Sequence, residues 1–322
     1  MWSINRYGAS LALALAIALP ASAGVTAAAG KKPEKVTIAT GNQGTPWSVV
    51  GAAISQVIAK EGVKSNTELG AGLSNVITVS VDRTNTGFTM AAVLPMAYAG
   101  EKPFPSKISN VRSIGSFMVN TTHVMVRQDT GVKSFADLKG KAFATQPVGN
   151  VTTLAFELLL KANGLDEKDL KLSRGGQEFG ANQLKDRKIV GFTATTGIPS
   201  AAFIDAAQTI DVDFLQVTDA ALQKVQELNP GFVKATIPAG TYNGQKKAID
   251  TIATQSMLIT NTKLSDDEAY FITKTLVENI DVIKKSHGSV KDLTPAEMAD
   301  TPAIELHPGA KRYYVEKGYL KK

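Results

Sequence analysis

The 322-residue chain has no cysteine, three histidines and two tryptophans. Without cysteine there is no disulfide, no thiolate metal site, no cysteine nucleophile and no cysteine-borne lipid anchor. The histidines, His123, His287 and His307, lack metal-ligand spacing such as HExxH, and each reads as a capping or packing residue. No GxSxG elbow, SxxK, Walker A loop or helix-opening GxGxxG occurs. Asp266, Asp267 and Glu268 fall in a first helical turn, where acids offset the macrodipole rather than hold a metal. No catalytic set, no cofactor and no metal site is therefore expected. The net charge of +6 is small for the length and not gathered into basic runs, which argues against a dedicated nucleic-acid binder.

What is present is ordinary globular composition, 43% hydrophobic and 20% charged, in a length that suits two domains. The N-terminus reads as a signal peptide over residues 1–23. Met1 to Arg6 is a short n-region, Leu11 to Leu19 an apolar h-region, and Ala21-Ser22-Ala23 the small-residue cleavage pattern. The apolar stretch is far short of the ~20 residues that span a bilayer, and no later run is long enough. The expectation is export to a bacterial periplasm, cleavage near Ala23, and a mobile arm over residues 24–33.

From Val36 onward strands and helices alternate, which predicts an α/β fold in two lobes. Strands are expected at Val36–Thr40, Thr67–Leu69, Phe88–Val93, Val111–Met118, His123–Arg127, Lys141–Thr145, Ile189–Thr195 and Val212–Val217. Thr45 is a natural N-cap with Pro46 at the first helical position. Ser74 is a second N-cap candidate. Ser134 and Asp137 open one helical turn closed by Gly140. Thr236 to Gly244 reads as a connector and Ile249 to Thr260 as an extended stretch. Ser265 and Glu268 form a capping box opening one long helix to His287.

One device recurs. Four times a strand runs into small polar residues and then a helix start: Gly44-Thr45, Ser74-Asn75, Gly149-Asn150-Val151-Thr152 and Thr195-Thr196-Gly197. Unpaired N–H groups and the positive dipole end make such places anion sites, and ligands of open α/β sheets sit beyond the strands' carboxyl ends. Taken singly, each Ser or Thr only caps its helix. Together, with no catalytic set, they point to binding without chemistry. No arginine lies in the four loops; Arg83, Arg174 and Arg187 read as helix ends or surface turns. Trp47 follows Pro46 in a helix whose apolar face is supplied by Val50, Ala53 and Ile54, so its ring is expected to face a ligand.

The segments TGNQGTPWSVVGAAI (Thr40 to Ile54), GLSNV (Gly72 to Val76), GVKSFADLKGKAFATQPVGNVTT (Gly131 to Thr153), GFTATTGIPSAAF (Gly191 to Phe203), IPAGTYNGQ (Ile237 to Gln245) and ELHPGAKRYYVEKG (Glu305 to Gly318) occur in that order. They resemble the solute receptors of TAXI-type tripartite ATP-independent periplasmic (TRAP) transporters over nearly the whole mature chain. The resemblance implies a type II periplasmic binding protein closing on a small organic anion, a carboxylate or amino acid. It also implies delivery to an ion-gradient-driven TRAP membrane permease. Lobe 1 would comprise residues 34–127 and 241–322, and lobe 2 residues 128–240. The family's ligand loops fall on Gly44, Thr45 and Trp47, on Ser74 and Asn75, on Gly149, Asn150 and Thr152, and on Thr195 and Thr196. Two departures stand out. Pro46 takes the place of an aromatic, and Leu94-Pro95-Met96 replaces a polar run, which makes one wall of the site less polar. The alternatives are a periplasmic enzyme of the same fold and a ligand-sensing subunit of a signalling receptor.

Overall fold

A computed structural model describes residues 31–82 and 85–321. The signal-peptide reading and most of the arm lie outside the described residues. So does Arg83. Of the arm, Lys31 to Pro33 are described: Pro33 is buried, and Lys32 Nζ donates to the Glu61 carbonyl at 2.6 Å.

The chain folds twice through the same βαβαβ unit. The first comprises β1 (Lys35–Ala39), α1 (Pro46–Lys60), β2 (Lys64–Glu68), α2 (Gly72–Ser80) and β3 (Thr86–Met90). After α3 (Leu94–Ala99) and the long strand β4 (Val111–Arg127) the unit repeats as β5 (Ala142–Thr145), α4 (Val151–Ala162), β6 (Lys171–Arg174), α5 (Gln177–Lys185) and β7 (Gly191–Thr196). There follow α6 (Ala201–Thr209), β8 (Val212–Phe214), α7 (Asp219–Leu228), β9 (Val233–Ile237) and a second long strand, β10 (Ile249–Asn261). The remaining helices are α8 (Asp266–Glu278), α9 (Ile280–Ser286), α10 (Pro295–Ala299) and α11 (Pro308–Glu316). The sheet order β2-β1-β3-β10-β4-β7-β5-β6 sets the two units on either side of the β10–β4 pair.

Each unit has its own core. Val36, Ile38 and Phe88 pack with Val50, Ile54, Val57 and Ile58 of α1 in one cluster, and Phe143 packs with Ala155, Phe156 and Leu159 of α4 in another. Burying each large aliphatic side chain is worth about 1.5–3 kcal/mol, so the apolar faces of α1 and α4 fix those helices on the sheet.

β4 and β10 serve both cores. Ile114, Phe117 and Met118 of β4 lie in the first, Val124 and Val126 in the second. Leu258 of β10 lies in the first and Ile252 in the second. The change of core therefore falls inside these strands, near 119–121 and 254–255; the crossovers that the resemblance implies, near Arg127 and Gly240, lie at the end of β4 and before β10. The break expected between Met118 and His123 is absent, because Val119 to Thr122 stay paired with β10 and β7.

Other expectations shift for local reasons. The 265–287 helix is two, α8 and α9, divided at Asn279, whose amide caps the Thr275 carbonyl at 2.9 Å. The strand expected over Phe88–Val93 stops at Met90 and turns through a 3-10 turn, Ala91–Val93. The segment read as a connector from Thr236 begins inside β9, a strand paired with β10. Gly231, after α7, packs so closely on Ala91 that a Cβ would meet the Ala91 carbonyl. Beside it Asn229 Nδ2 donates to the Ala92 carbonyl at 2.9 Å. This joins the two units a second time.

Candidate functional site

The sheet register decides where the strand ends meet. β3 ends at Met90, which pairs with Ser256 of β10; Ser256 in turn pairs with Met118 of β4. β7 runs antiparallel to β4 and ends at Thr196, paired with Thr121. Met118 and Thr121 are about 10 Å apart along one strand. The carboxyl ends of both parallel strand sets thus converge on the stretch where β4 and β10 pass between the units.

Both central strands, β1 and β5, lead to the same device there. Gly44 has φ of +80° and Gly149 of +87°, left-handed backbone that glycine takes without strain. Thr45 follows the first and Asn150 the second, each as N-cap: Thr45 Oγ1 accepts from Ser48 N at 3.4 Å, and Asn150 Oδ1 from Thr152 N at 2.8 Å. Pro46 stands at the first position of α1, as expected. Two helix N-termini therefore open beside one crossover, presenting partly unpaired N–H groups and positive dipole ends.

Between them runs a belt of polar side chains. Trp47 Nε1 donates to Ser256 Oγ at 2.9 Å, and the Asn120 carboxamide contacts the same oxygen at 2.8 Å. Two residues along β4, Thr122 Oγ1 meets Thr195 Oγ1 at 2.9 Å, and Thr195 N donates to Thr152 Oγ1 at 2.9 Å. The belt leads from the start of α1 to the start of α4. Asn120, Thr122 and Ser256 were not among the residues the sequence singles out. For Asn120 and Thr122 the signal is the polar run Asn120-Thr121-Thr122 between the apolar stretches Phe117–Val119 and Val124–Val126, which reads as a break.

The ten sequence-derived residues fall into two groups. Gly44, Thr45, Trp47, Ser74 and Asn75 stand at the ends of β1 and β2, while Gly149, Asn150, Thr152, Thr195 and Thr196 stand at the ends of β5 and β7. Several have structural tasks. Asn75 is buried and its Nδ2 donates to the carbonyls of Thr40 at 2.8 Å and Phe88 at 2.7 Å. Ser74 is not the N-cap of α2: Ala71 is, and Ser74 accepts from Ala71 N at 3.1 Å. The Trp47 ring is half-buried and stacks on Phe88 at 5.9 Å, so one face is covered. Thr152 is buried, and its hydroxyl serves Thr195 N. Leu94 is fully buried, and Met96, partly buried, packs on the same cluster.

The arginines also have defined places. Arg174 ends β6 instead of a helix. Its Nη2 pairs with Glu167 at 2.7 Å and its Nη1 donates to the Gln146 carbonyl at 3.2 Å, tying down the loop before α4. Arg187 lies in a turn, bonded to Asp129 at 3.0 Å. With Arg127 it borders a cavity of about 550 Å³ at the far end of β4 from the crossover.

The histidines cap and pack. His287 Nδ1 accepts from Ser289 N at 3.0 Å and His307 Nδ1 from Gly309 N at 3.3 Å. His123 is buried, and that burial pulls its pKa down to about 4. Its Nδ1 bonds the Thr121 carbonyl at 2.9 Å and its Nε2 the Tyr242 hydroxyl at 2.8 Å. The same hydroxyl accepts from Ser200 N at 3.1 Å, which braces the loop after β7 against β4. Among the described residues no cluster of three or more His, Asp or Glu is placed to hold a metal. No helix among them is long and apolar enough to cross a membrane.

The profile of the NMT1-like family matches residues 38–318. Among solved structures, the chain is similar to a protein named as the periplasmic sulfonate-binding protein SsuA of a sulfonate ABC transporter from Methylobacillus flagellatus KT. Identity is 15%, TM-score 0.51, and coverage 91% of this chain and 89% of that one. It is also similar to XAC2383 from Xanthomonas citri, solved bound to chloride ion and bound to ATP. There identity is 10% and TM-score 0.52, with 88% of this chain covered in both cases and 96% and 95% of the other. The fold is that of the periplasmic solute-binding proteins, two α/β units joined through a shared pair of strands.

Proposed function

The chain belongs to the NMT1-like family, and on that premise we propose that it is an exported solute receptor that binds a small organic anion and releases it unchanged. The anion, a carboxylate or an amino acid held by its carboxylate, sits between the N-termini of α1 and α4. The carrying observation is the matched device on the central strands: left-handed Gly44 and Gly149, caps Thr45 and Asn150, and two helix starts beside one crossover. One dipole end is worth roughly 0.3–1 kcal/mol and a hydrogen bond to a charged group ~1.5–3. Several of these, less the cost of immobilisation, approach the ~8 kcal/mol of a micromolar site without an arginine.

The pair β4 and β10 would act as the hinge, with lobe boundaries near 120 and 255, since both strands exchange cores there. The resemblance to TAXI receptors supports delivery to an ion-gradient-driven TRAP permease. A second reading, delivery to an ATP-driven permease, is favoured by the likeness to the sulfonate-binding protein of an ABC transporter. Mass spectrometry of small molecules released from protein purified from its native host tests the receptor reading. Recovery of one organic anion, unaltered on re-incubation, supports it; conversion of that molecule to a product contradicts it. Solute uptake into native membrane vesicles, driven by an ion gradient without ATP, separates the two permeases.

A further inference from the structure

Ser256 is fully buried, and its Oγ lies 2.9 Å from Trp47 Nε1 and 2.8 Å from the atom placed as Asn120 Nδ2. An indole N–H can only donate, so one lone pair of Ser256 is committed to Trp47. With Asn120 Nδ2 donating as well, both lone pairs are taken. The hydroxyl proton then has no acceptor among the hydrogen bonds of the described residues. Buried polar hydrogens are nearly always paired. A half-turn of the carboxamide about its last torsion exchanges Oδ1 and Nδ2 on the same footprint. Ser256 then donates to Oδ1, and each group in the chain has a partner.

The consequence concerns Nδ2. Asn120 is half-buried and lies where β4 passes between the units. It projects from the same face as Ser256, which Trp47 of α1 reaches, and as Thr122, which joins the belt to α4. Turned away from Ser256, its two N–H bonds have no partner among the hydrogen bonds of the described residues, on the strand that runs between those helix starts.

We propose that Asn120 is an anion-binding donor on the floor of the cleft, oriented by the one-way chain from Trp47 N–H to Ser256 O–H to Asn120 Oδ1. Trp47 and Ser256 are positioning residues here and Asn120 is the one that touches the solute. The inference rests on the receptor reading and sharpens its ligand class. The group on the hinge strands is a carboxylate or sulfonate oxygen, and an ammonium nitrogen is rejected there.

The test is amide and side-chain NMR on the full mature protein, with sodium acetate and sodium methanesulfonate as probes. In the free protein the Asn120 Nδ2 protons should show no NOE to the Trp47 indole proton and should exchange with water. Added acetate or methanesulfonate should shift the Asn120 Nδ2 signals together with the amides of Val151 and Thr153; the stronger of the two tells carboxylate from sulfonate. Asn120→Asp keeps an acceptor for Ser256 but replaces the donors with a negative charge, so it should weaken probe binding about tenfold or more. Ser256→Ala should broaden or double the Asn120 side-chain signals. An NOE between Nδ2 and the indole proton, or an Asn120→Asp variant that binds as wild type does, overturns the proposal. Shifts at Val151 and Thr153 without Asn120 overturn it while leaving the receptor reading intact. The expected orientation with no response to either probe at any of these groups defeats the receptor reading, and this proposal with it.

Discussion

The Trp47 indole N–H reaches the Ser256 hydroxyl at 2.9 Å across 209 positions of sequence. The contact joins the first turn of α1 to the strand on which the two units meet, and with Phe88 stacked beneath the ring it fixes the angle at which α1 starts. Replacing Trp47 with Phe keeps the stacking and removes the N–H. It should cost about 0.5–1.5 kcal/mol of unfolding free energy, the usual net worth of one hydrogen bond. Ser256→Ala should cost a similar amount, and the double variant less than the sum. Denaturant titration followed by circular dichroism measures all three; strict additivity would dissociate the pair.

Asn75 should prove a residue of stability rather than of recognition. Its amide donates to the carbonyls of Thr40, just after β1, and of Phe88, in the middle of β3, and Asn75→Ala removes both bonds from a buried place. The expected loss is about 1–3 kcal/mol. Ser74→Ala, which frees only an exposed turn, should stay within about 0.5 kcal/mol. Comparable effects of the two in a thermal or chemical melt would refute this division.

Thr152 separates in the same way by its hydroxyl. Thr152→Val preserves shape but strands the buried N–H of Thr195, and should destabilise by about 1–3 kcal/mol. Thr152→Ser restores the acceptor and should recover most of that loss. A valine variant as stable as the serine variant would show that the Thr195 N–H finds another partner.

Acid should weaken the brace at His123. The unfolded imidazole titrates at its ordinary 6.5, whereas burial holds the folded one at about 4. Between those values the unfolded chain binds a proton that the folded chain refuses, so stability falls as pH drops from about 6.5 and levels off below about 4. The whole effect is on the order of 3 kcal/mol. His123→Gln should flatten that part of the stability-against-pH curve. An unchanged slope in the variant would assign the acid sensitivity to other groups.

Much of this was legible in local sequence because local physics decided it. The Thr45-Pro46 start of α1 and the Ser265–Glu268 box of α8 are set by residues within four positions of one another. The α/β alternation followed from the same signals. What escaped depends on distant partners. The run from Asn120 to Thr122 looks like a break until β7 and β10 are seen to pair with it. The Ser256 hydroxyl has no meaning without Trp47. The core of Val76, Val79 and Met257 that encloses Leu94 is likewise gathered from separate segments. Arg174 reads as surface until β6 is paired with β5.

Amide chemical-shift mapping with the solute released from the native protein shows whether one solute is held by both helix starts at once. Simultaneous, saturable shifts are expected at Trp47 in the first turn of α1 and at Val151 and Thr153 in the first turn of α4, with Asn120 between them. Shifts confined to one of the two helix starts, or centred on Arg127 and Arg187 at the far end of β4, would contradict that expectation.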